Sequence, residues 1–209
     1  MKLYTYWRSS TSYRVRIALN LKGLVWEAVP VNLVAGEQNA EAYAALNPGQ
    51  AVPTLVLDDG TVLIQSMSIL EWLDERYPAP PLLPEDPVKR ARVRAAALVI
   101  AADIHPVNNL KVVAKLRKMG HSQDDVVEWM QDWMARGFHA FAALIGQDTQ
   151  FCFGDTPGLA DLCLVPQLYN AHRWGLELAP FARLVDIEKR CLEISAFDSA
   201  RPENQPDAA

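Results

Sequence analysis

Five prolines fall within ten residues, at Pro78, Pro80, Pro81, Pro84 and Pro87. No helix or strand runs through such a stretch, because each proline removes a backbone donor and fixes its own φ. The segment is therefore read as a linker, with folded parts expected at 1–80 and 88–200. The two parts differ in pattern. Strands and helices alternate before the prolines, and no convincing strand follows them. A chain of 209 residues, half of them hydrophobic, is long enough to give each part a core.

The first part opens with Lys2-Leu3-Tyr4-Thr5-Tyr6-Trp7, whose aromatic and β-favouring residues suit a short buried strand. Four hydroxyl residues follow, Ser9-Ser10-Thr11-Ser12, where strand gives way to helix. From Ser12 to Lys22 the period is helical. Val15, Ala18, Leu19 and Lys22 share a stripe, widened by Ile17 and Leu21, and Gly23 can end the helix left-handed. Trp26 to Leu33 reads as a second strand, parallel to the first through a right-handed crossover. A short helix over Ala42–Leu46 stops at Asn47-Pro48-Gly49. A strand opened by Pro53 then runs to Leu57, and a cis Val52–Pro53 bond would be a functional device there. Asp58-Asp59-Gly60 signals a hairpin into Thr61–Ile64. A helix through Tyr77 follows, with Ser66 as its N-cap and Ile69, Leu70, Leu73 and Tyr77 on one face.

Beyond the linker, 88–118, 123–144, 159–175 and 181–195 are helical by period. Trp129, Trp133, Phe138 and Phe141 lie at helical spacing and are read as core. Gly158-Leu159-Ala160-Asp161 resembles a capping box with glycine at its head. The residues from Arg201 onward are expected to form a loose tail.

A net charge of −5 gives no attraction to nucleic acid or an anionic membrane surface. Cys152, Cys163 and Cys191 are isolated and lack metal or C-x-x-C spacing, so they are read as reduced core thiols of a cytoplasmic protein, with no metal site. No apolar run reaches membrane-spanning length.

The hydroxyl turn can cap a helix or hold an anion against the positive end of its dipole. The strand order describes a thioredoxin-like α/β domain followed by an all-α domain. Redox members of that fold need a cysteine pair at the first turn, and this chain has none, so any sulfur chemistry must use a thiol from outside.

Several long motifs then occur in order: 9–23, beginning Ser9-Ser10-Thr11-Ser12; Leu46-Asn47-Pro48-Gly49-Gln50-Ala51-Val52-Pro53; Ile64-Gln65-Ser66; and Asp103-Ile104-His105-Pro106-Val107-Asn108-Asn109. Over essentially its whole length the chain resembles the glutathione transferase superfamily, and more narrowly its zeta class. That class usually has cysteine where Thr11 stands. The resemblance implies glutathione as cofactor and cis–trans isomerisation of maleylacetoacetate or maleylpyruvate, through transient addition of the thiolate to the cis double bond. It also implies a homodimer acting in aromatic amino acid catabolism.

Carried onto this chain, the resemblance makes Ser9 or Ser10 the hydroxyl that holds the sulfur, with Thr11 beside them. Gln50, the backbone of Val52, Gln65 and Ser66 are assigned to the glutathione backbone, and His105, Asn108 and Asn109 to further glutathione contacts. A dicarboxylate substrate calls for cations. Arg8 is the first choice, also as a catalytic residue, followed by Lys111 and Arg173. Two other expectations remain open beside the isomerase: a glutathione-consuming transferase or dehalogenase on α-halo acids, and a non-catalytic glutathione-binding module.

Overall fold

The computed structural model describes residues 1–208 and divides into two compact units, Met1–Leu82 with Leu192–Ala209, and Leu83–Cys191. The first unit is built on a four-stranded sheet of order β2-β1-β3-β4. β1 (Lys2–Thr5) pairs in parallel with β2 (Glu27–Pro30) and antiparallel with β3 (Thr54–Val56), which pairs antiparallel with β4 (Val62–Ile64). The Asp58-Asp59-Gly60 hairpin forms as its residues dictate, with Gly60 at φ +86°. Strands β2 and β3 are shorter than their apolar runs. β3 begins at Thr54, after Pro53.

Helix α1 (Ser10–Leu21) buries Val15, Ile17, Ala18 and Leu19, and Gly23 ends it at φ +63°. Lys22 is not part of the apolar stripe. Its ammonium, fully buried, bonds Asp74 Oδ1 at 3.1 Å and the carbonyls of Tyr77 and Pro80, tying α1 to the end of α3 (Ser66–Arg76). Between them lies the short α2 (Glu41–Leu46). Ile69, Leu70 and Leu73 are fully buried, as their spacing requires.

The expected loose tail is instead ordered, and it belongs to this unit. α9 (Ser195–Asp198) packs on α1, and a 3-10 turn follows at Pro202–Asn204 with Pro202 buried. The Gln205 side-chain amide donates to the carbonyls of Ser199 and Arg201. Local composition signalled none of this: beside its own Gln205 bonds, the segment is tied down by α1 and by the turn after β1.

The second unit is helical. The expected helix over 88–118 is broken. α4 (Pro87–Leu98) passes into a π turn (Val99–Ile104), and α5 (Leu110–Lys118) restarts after a non-helical stretch around Pro106, which has no N–H to continue a helix. α6 (Gln123–Leu144) carries Phe138 and Phe141 into the core, whereas Trp129 and Trp133 are half-buried. α7 (Leu159–Arg173) is almost wholly buried, and α8 (Ala182–Leu192) ends the unit. At the head of α7 only half a capping box exists, since Gly158 has no side chain. Asp161 accepts from the N–H of Gly158 at 2.8 Å and of Cys152 at 2.9 Å.

Candidate functional site

In the sheet, Tyr4 lies opposite Thr54 and Thr54 opposite Ile64. The chain after β1, the chain before β3 and the chain after β4 therefore leave the sheet at one end. That end gathers Trp7–Thr11, Gln50–Pro53 and Gln65–Ser66.

Ser9 is the N-cap of α1, and its Oγ accepts from the Ser12 N–H at 3.2 Å. The same Oγ lies 2.9 Å from Thr11 Oγ1, and Thr11 donates its hydroxyl to the Val52 carbonyl at 2.9 Å. A hydroxyl has one proton. Thr11 has given its own to Val52, so in the Ser9–Thr11 bond Ser9 is the donor. The oxygen that caps α1 is thus also the one whose proton is turned toward Thr11. Ser9 is half-buried, and Ser10, at the first helical position, is 6% exposed.

The Val52–Pro53 peptide is cis. Its loop is braced from behind: Tyr43 Oη and Asn47 Nδ2 both donate to the Ala51 carbonyl at 2.7 Å, and both reach Thr54 Oγ1. Burial raises the Tyr43 phenol above its usual range, partly offset by its bonds to Thr54 and Asn47. Among the described residues no group accepts the Val52 N–H. Gln50 sits left-handed at φ 49°.

At α3 the expected cap is displaced by one residue. Gln65 is the N-cap, at φ 69°, and makes no side-chain cap bond, while Ser66 is the first helical residue. Ser66 Oγ accepts instead from Arg14 Nη1 at 3.3 Å, and Arg14 is 1% exposed. This buried guanidinium was assigned no role from sequence. Its only signal was a charge placed among the apolar residues of α1.

Arg8 stacks on the Trp7 ring, 4.4 Å from its centroid, and donates to Tyr6 Oη at 3.4 Å. Among the described residues no carboxylate pairs with it.

His105, Asn108, Asn109, Lys111 and Arg173 belong to the second unit. His105 closes the π turn, its N–H on the Ile100 carbonyl at 2.9 Å. The Asn108 amide donates to the Met130 carbonyl at 3.3 Å, and its Oδ1 is buried without a partner among the described residues. Asn109 caps α5, its Oδ1 accepting from the Lys111 N–H at 3.0 Å. The cap engages only Oδ1 of Asn109, and neither Asn108 nor Asn109 sits within a helix. Arg173 packs its guanidinium 5.3 Å from the Trp174 ring.

The turn therefore offers hydroxyls without a thiol. Around it stand an open backbone N–H at Val52, a helix start with no side-chain cap and a cation without an acid partner. That set fits a peptide-like thiol bearing carboxylates. Comparison with known proteins agrees. Residues 8–76 match the family "Glutathione S-transferase, N-terminal domain". The chain is 50% identical to maleylacetoacetate isomerase of Pseudomonas aeruginosa, over 99% of this chain and 98% of that one. It is also similar to a holo structure of maleyl pyruvate isomerase, described as a bacterial glutathione-S-transferase of the zeta class, with TM-score 0.97, 46% identity and 100% of both chains covered. A maleylacetoacetate isomerase from Methylobacterium extorquens AM1, solved with bound malonate and glutathione, superposes with TM-score 0.95 at 36% identity, again over 100% of both chains.

Proposed function

The chain belongs to the zeta class of the glutathione transferase family and is a glutathione-dependent isomerase, and on that premise we propose that its substrate is maleylacetoacetate, converted to the fumaryl isomer with Ser9 holding the sulfur. When bound, glutathione supplies a thiolate that adds to the cis double bond and leaves once the resulting single bond has turned. The observation that carries the reading is the Ser9–Thr11–Val52 chain, which joins the thiol-free hydroxyl turn to the cis-proline edge.

The geometry of the turn and its neighbours supports the following roles. Ser9 turns its proton from Thr11 to the sulfur, and it is preferred over Ser10 because it is the less buried residue. The N-terminal end of α1 adds its dipole to the same anion. Val52 offers its N–H and C=O to the cysteinyl unit in the manner of an added strand. Gln65, Ser66 and the opening N–H groups of α3 receive the γ-glutamyl carboxylate, with Arg14 behind Ser66, and Gln50 and Thr11 complete the pocket. Arg8 holds a substrate carboxylate; Lys111 and Arg173 are further candidates for the substrate, and His105, Asn108 and Asn109 for glutathione.

The protein is cytoplasmic and a homodimer in this reading. Val88, Ala91, Ala95, Leu98 and Ala102 are exposed at helical spacing along α4 and the π turn, which suits a second copy. Light scattering behind size exclusion measures the mass in solution.

The deciding experiment follows maleylacetoacetate and maleylpyruvate spectrophotometrically, with and without glutathione. Turnover that needs glutathione without depleting it is expected, with maleylacetoacetate preferred. Preference for maleylpyruvate would overturn the substrate assignment. Depletion of glutathione would favour transfer or dehalogenation.

A further inference from the structure

The segment after α9 makes contacts that folding of the tail alone does not require. Asp207 Oδ2 accepts the Trp7 N–H at 3.0 Å, across 200 residues of sequence. The Trp7 carbonyl accepts from Arg16 Nη2 at 3.0 Å, and the Nε of the same fully buried guanidinium donates to the Ala200 carbonyl at 3.0 Å. Arg16 Nη1 reaches the Tyr6 carbonyl as well, at 3.4 Å. Both peptide groups of Trp7 are thereby fixed from the C-terminal segment, one by Asp207 directly and one through Arg16. The segment has the rigidity to do this, since Gln205 and Asn204 bond back to its own carbonyls and Asn20 of α1 holds the Ala196 carbonyl at 3.2 Å.

Trp7 is the platform of Arg8. The guanidinium lies over its ring, and the Arg8 backbone follows directly from the peptide that Asp207 and Arg16 hold. We propose that the C-terminal segment is a strap for the substrate cation, with Asp207 as a positioning residue that fixes Trp7 and, through it, the direction of Arg8. This rests on the reading of Arg8 as the holder of a substrate carboxylate. Asp207 does not touch the substrate. Its contribution is that Arg8 meets a dicarboxylate already oriented, so the ordering entropy is spent on folding and not on binding.

The test uses the full chain with Asp207→Ala and Asp207→Asn, each also combined with Arg8→Ala. Asp207→Ala removes a hydrogen bond to a charged acceptor, a change on the order of tenfold in an equilibrium. The KM for the cis-dicarboxylate should rise by about that factor, while the glutathione Kd stays within about twofold. Asp207→Asn keeps an acceptor for the Trp7 N–H and should recover most of the loss. In the Arg8→Ala background, Asp207→Ala should add nothing to KM. If Asp207→Ala fails to fold, Asp207→Ser, whose hydroxyl is too short to reach Trp7, takes its place. An unchanged KM overturns the strap. So does a rise in KM matched by an equal loss of glutathione affinity, or an effect that adds in full to that of Arg8→Ala. Wild-type KM in Arg8→Ala itself would instead overturn the functional reading, and the strap's role with it.

Discussion

Replacing Ser9 by alanine should produce two separable losses, because its one oxygen serves two acts. The first is the cap. Ser9 Oγ accepts the Ser12 N–H, and losing such a cap costs about 1 kcal/mol, which in a protein of this size lowers the melting temperature by roughly 2–4 °C. The second concerns the sulfur. A hydroxyl bond to a thiolate is worth about 1.5–3 kcal/mol, but turning to it means giving up the neutral bond to Thr11, worth about 0.5–1.5. The net is on the order of 1 kcal/mol, so Ser9→Ala should raise the pKa of bound glutathione by about one unit. Thr11→Val makes the complementary case. It removes the competing acceptor, leaves the Ser9 proton with no other partner, and should lower that pKa by up to about one unit. Ultraviolet titration of the thiolate in the binary complex reads both shifts. A wild-type pKa in Ser9→Ala, with a rise in Ser10→Ala, would show that the donor is Ser10. A raised pKa in Thr11→Val would refute the competition between sulfur and Thr11.

Arg8→Lys keeps the charge but loses the planar fork and the stacking on Trp7, so dicarboxylate KM should rise by about tenfold with glutathione affinity unchanged. A β-carbon at Gly137 on α6 would run into Cδ1 and Cγ1 of Ile104, the last residue of the π turn; Gly137→Ala should destabilise by about 1–3 kcal/mol in denaturant titration. Burial pushes the thiols of Cys152 and Cys191 far above their ordinary range, Cys163 is buried with them and Thr11 stands where a site thiol would be, so iodoacetamide at pH 8, removed before glutathione is added, should neither label the native chain nor reduce turnover. Burial also raises the Asp161 carboxyl from its ordinary 3.8, against the pull of the Gly158 and Cys152 N–H groups. The folded state then holds that proton more tightly than the unfolded one, so the group's contribution is complete below 3.8 and is lost as pH rises through the folded value. Denaturation midpoints measured from pH 4 upward should show this fall in wild type and lack it in Asp161→Asn.

The parts legible in sequence are those decided by neighbours in the chain. The hydroxyl turn, Gly23, and the Asp58-Asp59-Gly60 hairpin with the strands it joins all form where local chemistry places them. The misreadings have a common cause. Ser66 is a good N-cap residue by type, yet Gln65 takes the cap position with a positive φ, and the Ser66 hydroxyl goes to a guanidinium on another helix. The residues from Arg201 look like a tail because their ties to Trp7 and through Arg16 span nearly the whole chain, and composition does not mark the carbonyls that Asn204 and Gln205 meet locally.

What sequence pattern missed converges on α1. Its first turn sends Thr11 to Val52, Arg14 reaches Ser66 at the head of α3, and Arg16 reaches Tyr6, Trp7 and Ala200. Arg14 and Arg16 are two residues apart, close to 200° around a helix, so they leave on opposite sides. A buried guanidinium is costly unless its donors are met, and here backbone carbonyls and hydroxyls of the site's loops are among the groups that meet them. Helix α1 therefore fixes where the cis-proline edge, the head of α3 and the Trp7–Arg8 turn stand. Loss of either arginine should then disturb one loop more than the others: Arg14 the affinity for glutathione, Arg16 the affinity for the dicarboxylate. This separation follows from the direction in which each side chain leaves the helix.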